Sequence, residues 1–115
     1  MSRTTKDSLI ERFDEGLKKI EKGKFEEGLT YIRWTLGSAW FLDHDPDALM
    51  ADLTFFIAEP RLKKLKDNKE FTKKFLGTLN NLRKSYFLEK NSAEIYNSLK
   101  EMIRCLMEHI PTLEE

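Results

Sequence analysis

Between Phe25 and Leu42 the apolar residues cover more of a helix than one ordinary core can use. Phe25, Leu29, Ile32, Leu36 and Trp40 recur at intervals of three and four, and Tyr31, Trp34 and Phe41 form a second stripe about a quarter-turn away. One stripe serves a core, and the other calls for a partner or a central position in the fold. Trp40 aligns with the core stripe, while Trp34, beside Tyr31 and Phe41, suits either core packing or an interface. A chain organised around such a segment belongs with helical packing and interaction proteins.

The same period runs through the rest of the chain. Leu9, Phe13, Leu17 and Ile20 predict a helix over 6–21, with Thr4 or Thr5 placed to cap it. Lys22-Gly23-Lys24 reads as a tight connection, because Gly23 can take the left-handed conformation without a steric penalty. The second helix spans 25–42. Asp45-Pro46 starts a third over 46–58, with Asp45 as cap and Pro46 at the first helical position, and Leu49, Met50, Leu53, Phe56 and Ile57 are its expected buried face. Glu59-Pro60 predicts an interruption, followed by a short helical piece over 61–66. Asp67 with Glu70 resembles a capping box for a helix over 69–89, whose seam is Phe71, Phe75, Leu79, Leu82 and Tyr86. Asn91 with Glu94 caps a last helix over 92–109 that carries Ile95, Leu99, Met102, Ile103 and Leu106, Pro111 limits it, and Glu114-Glu115 forms a solvated end. The expected fold is a single-domain, all-α, compact antiparallel bundle of four principal helices, with room for a short fifth near Pro60.

Residues 9–42 resemble one tetratricopeptide-type helical hairpin. Gly16 and Gly28 stand at the small-residue positions twelve residues apart, Phe25 matches the aromatic of the second helix, and Lys22-Gly23-Lys24 fits the turn. Glu15, Lys19 and Thr35 depart from the family pattern, and no 34-residue repeat follows. The resemblance implies peptide or protein binding on a helical surface. Independently of it, the two glycines permit close packing of two helices.

Composition narrows the function classes. With 40% hydrophobic and 35% charged residues the chain is built to fold. Lys plus Arg equals Asp plus Glu, 20 against 20, so total charge does not point to nucleic acid. Charge is nevertheless segregated. Residues 61–84 hold nine basic side chains against Asp67 and Glu70, and residues 43–52 hold four aspartates and no Lys or Arg. The basic segment supports an alternative reading, nucleic-acid association through Lys63, Lys64, Lys66, Lys73 and Lys74, although no finger, glycine-rich loop or arginine-rich helix accompanies it.

Catalytic and metal chemistry find little to use. Asp43-His44-Asp45-Pro46-Asp47 offers one histidine without zinc spacing and carboxylates without the alternation of a calcium loop, so Asp45 reads as a cap and His44 as an exposed side chain. His109 reads as a terminal stabiliser or a surface residue. No Ser-His-acid pattern, phosphate loop or metalloprotease helix is present, so no catalytic residue, metal or cofactor is assigned. Cys105, among Met102, Ile103, Leu106 and Met107, reads as a buried thiol in a reducing compartment. The opening MSRTTKDS lacks the apolar centre of a secretory signal, and no apolar run nears the roughly 20 residues of a membrane span. The resulting expectation is a cytoplasmic, non-enzymatic interaction or assembly module, without membrane insertion. Its interface candidates are Tyr31, Trp34 and Phe41, and its partner is another protein or copies of itself.

Overall fold

A computed structural model describes residues 6–109 of the chain. Five α-helices account for nearly all of them: α1 (Lys6–Glu21), α2 (Phe25–Asp43), α3 (Pro46–Lys64), α4 (Lys69–Arg83) and α5 (Ser92–Glu108). They pack in the cyclic order α1, α2, α3, α5, α4 and back to α1. The expected caps at Thr4 or Thr5, the limit at Pro111 and the Glu114-Glu115 end lie outside the described residues.

Local chemistry explains most boundaries. α1 closes in a Schellman turn: Lys24 N–H donates to Lys19 O, Gly23 N–H donates to Ile20 O, and Gly23 has a φ of 86°. His44 ends α2 in the left-handed conformation, and its N–H donates to Trp40 O. Asp45 then caps α3 by accepting from Asp47 N–H, with Pro46 at the first helical position. Asn91 caps α5 by accepting from Glu94 N–H.

Two local expectations are corrected. Pro60 does not interrupt α3, which runs unbroken to Lys64, so the expected piece over 61–66 is largely its last turn. Pro60 sits on the solvent side of the helix, where losing one N–H and crowding the carbonyl one turn back are best tolerated. The cap of α4 is Asn68, which accepts from Phe71 N–H, and not Asp67, which is exposed in the turn before it.

α4 does not continue as an α-helix to residue 89 but passes at Lys84–Leu88 into one π-helical turn, where Glu89 N–H donates to Lys84 O. The wider turn lets the consecutive Tyr86 and Phe87 both point inward. Phe87 packs edge-on to Phe13 of α1, and Tyr86 donates its hydroxyl to Asp45 Oδ2 at 2.8 Å, tying this turn to the start of α3.

That bond has a consequence for pH. Burial, and then the hydrogen bond to Asp45, push the Tyr86 phenol far above its ordinary value. The unfolded phenol ionises near a pKa of about 10. Stability from this site is therefore complete below about pH 10 and is lost as pH rises beyond it. Urea titrations across the alkaline range should show this fall, and Tyr86→Phe should make the alkaline limb shallower while costing about 2 kcal/mol at neutral pH.

The core is rich in phenylalanine. Phe13, Phe55, Phe71, Phe75 and Phe87 are fully buried, with Ile20, Leu29, Ile32, Leu36 and Leu62 around them. α1 and α2 cross closely at Gly16 and Gly28, where a Cβ on Gly28 would lie 2.6 Å from Gly16 O. Cys105 is buried, and burial pushes its thiol above the ordinary value. His109 corrects the surface alternative: it is buried at the end of α5, its Nδ1 is 2.9 Å from Cys105 O, and its ring meets the edge of Phe71.

Candidate interaction surface

α3 packs three alanines, with Phe55 and Leu62, inward. Ala48, Ala51, Phe55, Ala58 and Leu62 are buried, a stripe spaced 3, 4, 3 and 4. This corrects the expected buried face of Leu49, Met50, Leu53, Phe56 and Ile57: Leu49 is half-buried and the other four are exposed, Ile57 to 70% and Phe56 to 60%. Alanines let α3 approach its neighbours closely, and the helix geometry then turns the bulky residues outward.

α2 continues this surface. Its core stripe is placed as expected, with Trp40 half-buried against the core and edge-on to His44. The second stripe faces out: Trp34 is 60% and Phe41 82% exposed, whereas Tyr31 is half-buried toward α1 and meets Trp34 edge-on at 6.0 Å. Trp34 and Phe41 stand one turn to either side of Gly37, and with Asp52 they line a groove of about 540 Å³. A side chain at Gly37 would meet only Asp52 Oδ2, at 3.9 Å, so the groove floor is open.

Arg33 joins the two helices beneath this face. Its guanidinium lies 5.2 Å from the centre of the Phe56 ring, and its Nη1 donates to Glu59. Its Nε is buried, makes no hydrogen bond among the described residues and lies 4.0 Å from Asp52 Oδ1. Burial raises the Asp52 carboxyl above its usual range, opposed by the charge of Arg33. On the other flank of α3, Met50, Thr54, Tyr96, Ile103 and Met107 line a broad apolar groove of about 990 Å³ beside α5. Apolar surface thus extends across three neighbouring helices, with α3 in the middle.

The lysines of the basic segment are divided among separate surfaces. Lys63 pairs with Glu59, Lys66 with Glu26, and Lys74 with Glu70 and Glu108 across to α5. Arg83 makes a bidentate pair with Asp14 of α1, at 2.6 and 3.1 Å. Lys66 and Lys73 come together in a groove between the α1–α2 turn and α4, lined also by Glu21 and Asp67, while Lys63 and Lys64 occupy the end of α3.

The acidic loop acts as the start of α3. Burial alone would raise Asp45, but the Tyr86 hydroxyl, the Asp47 N–H and Lys90 hold it below the usual carboxylate range. His44 is exposed. Among the described residues no group of three or more His, Cys, Asp or Glu side chains is placed to hold a metal ion, and no helix is long and apolar enough to cross a membrane. No family model, curated protein or solved structure matches the chain.

Proposed function

We propose that this protein is a non-enzymatic, cytoplasmic interaction or assembly module whose working surface is the exposed apolar face of α2 and α3. The observation that supports this most is the second apolar stripe of α3: the helix buries Ala48, Ala51, Phe55, Ala58 and Leu62 and still exposes Met50, Leu53, Phe56 and Ile57. A helix that served only its own core would not leave four further large apolar residues in solvent. Scattered exposed apolar residues are ordinary, but a contiguous patch across neighbouring helices marks a surface that is covered in use. Trp34, Phe41 and Phe56 supply aromatic anchors, and Arg33 supplies the type of cation enriched among binding hot spots. The tetratricopeptide-like character of residues 9–42 fits a protein-binding role. Nucleic-acid association through the basic segment has less support, because three of its five lysine candidates already hold carboxylates.

Photo-crosslinking in the cells that make the protein tests this reading. A photoreactive side chain at position 56 should give a discrete higher-mass protein product, and the same group at Lys73 on α4 should not. Absence of a product from position 56, or equal products from both positions, would overturn the proposal.

A further inference from the structure

The groove flanked by Trp34 and Phe41 holds charge of both signs that the bundle itself leaves largely unused. Arg12 enters it from α1 and donates Nη1 to Ser38 Oγ at 3.2 Å, and among the described residues it makes no ion pair. Asp52 enters it from α3. Its Oδ1 lies 4.0 Å from Arg33 Nε, beyond hydrogen-bond length, and its Oδ2 lies 3.9 Å from the place a Cβ on Gly37 would take. Neither oxygen accepts a hydrogen bond among the described residues. Burial works against the charge on this carboxylate, so a donor brought to Oδ2 would stabilise a group that water solvates poorly. Arg33 is engaged elsewhere, with Glu59 and the Phe56 ring. One guanidinium and one carboxylate therefore remain for a ligand.

We propose that this groove is a binding site for a free α-amino acid with an apolar side chain. The ligand carboxylate takes the guanidinium of Arg12, its ammonium donates to Asp52 Oδ2, and its side chain lies between the Trp34 and Phe41 rings. Seven residues of helix set the Cα atoms of Trp34 and Phe41 about 10 Å apart along α2, which leaves room for one flat or branched side chain between them. Gly37 keeps the floor there clear. The two charges stand over adjacent residues of α2, Arg12 on Ser38 and Asp52 at Gly37. A ligand joining them needs a reach of only about 10 Å, roughly an amino-acid backbone with a hydrogen bond at each end.

Charge selects this class over its neighbours. A simple cation would be opposed by Arg12 and a simple anion by Asp52, whereas a small zwitterion satisfies both. A long peptide carries its two terminal charges too far apart to bring them here together. The groove volume of about 540 Å³ suits a small ligand, and apolar walls with a few polar groups are the usual make-up of such a site. The site goes beyond the protein-interaction reading and does not depend on it.

Trp34 and Trp40 are the chain's two tryptophans and both line the groove, so tryptophan emission reports its occupancy. L-Phenylalanine and L-leucine, titrated into the full chain with excitation at the red edge of the tryptophan band, should give a saturable change, with half-saturation below about 1 mM for at least one of them. The amide of that amino acid, which lacks the carboxylate, and its N-acetyl form, which lacks the ammonium, should each bind about tenfold or more weakly. Arg12→Gln should erase the preference over the amide, and Asp52→Asn the preference over the N-acetyl form. Gly37→Leu fills the floor without meeting backbone and suits a helix, so it should fold and abolish binding. No saturable change with either amino acid, equal binding of the blocked forms, or binding that survives Gly37→Leu would overturn the proposal. Amino-acid binding by a chain that gives no crosslinked product at position 56 would remove only the protein-interaction reading. A crosslinked product without amino-acid binding would remove only this site.

Discussion

Replacing Gly28 by alanine should lower the melting temperature by about 5–15 °C, although alanine is the better helix former. On propensity alone the change favours the helix by about 1 kcal/mol. Packing opposes it. The new methyl would sit 2.6 Å from the Gly16 carbonyl oxygen of α1 and would also press on Ile20. The Ile20 side chain can turn away, but the Gly16 oxygen belongs to a helix backbone and can move only if α1 as a whole moves. Gly16 is placed reciprocally, 2.9 Å from Gly28 O for its own added Cβ, so the two helices have no slack from either side. Separating them disturbs Leu17, Ile20, Leu29 and Ile32, which are buried along the same crossing. A net loss of about 1–3 kcal/mol follows. Gly77 supplies the contrast: it is exposed on α4 with open space where a Cβ would stand, so Gly77→Ala should stabilise by about 0.5–1 kcal/mol. Thermal or urea unfolding of the two variants checks both signs, and equal responses would refute the close crossing.

Gly28 also shows what kind of information the sequence carries. Its spacing from Gly16, the Gly23 turn and the stripes of α1, α4 and α5 are local signals, readable because each depends on neighbours within a few residues of sequence. The caps at Asp45 and Asn91 belong to the same class, and they are found where expected. The π turn at Lys84–Leu88 has no such signature: it depends on Phe13 and Asp45, which are distant in sequence and draw two consecutive aromatics inward. α3 is the more instructive case. Two apolar stripes were available on it, one of large residues and one of mostly alanines spaced 3, 4, 3 and 4. Hydrophobicity favours the first, while close approach to α2 and α5 favours the second, and the second is buried. The regular heptad-like spacing was the signal that could have identified it. Tyr31, Trp34 and Phe41 divide by the same principle, because the crossing that brings α1 close at Gly28 half-buries Tyr31 and leaves the other two on the outer side of α2.

Truncating Phe75 to alanine should cost about 3–5 kcal/mol and lower the melting temperature by about 10–25 °C. Phe75 is wholly buried on α4, and three rings surround it: Phe71 stacked at 5.5 Å, Phe25 of α2 at 5.6 Å and Phe55 of α3 at 6.3 Å. It is thus the point where α2, α3 and α4 share one aromatic cluster. The cavity left by truncation could close only if rings from all three helices moved inward together. α2 is fixed against α1 by the glycine crossing, and α3 is tied at its start by the bond between Tyr86 and Asp45, so such a collapse would strain contacts that stay intact. Most of the cavity should therefore persist, and the cost should lie toward the upper end of the range for a large-to-small change. Phe56→Ala removes the same ring from the outer face of the adjacent helix, where it is 60% exposed, and should cost the monomer no more than about 0.5 kcal/mol. Measured below the concentration at which chains associate, the two losses should differ by several kilocalories per mole. That difference is the energetic form of the division between aromatics that make the fold and aromatics that remain available to a partner. Comparable losses would mean that Phe56 is committed to the bundle itself, and the face on α2 and α3 would then have no binding energy left to offer.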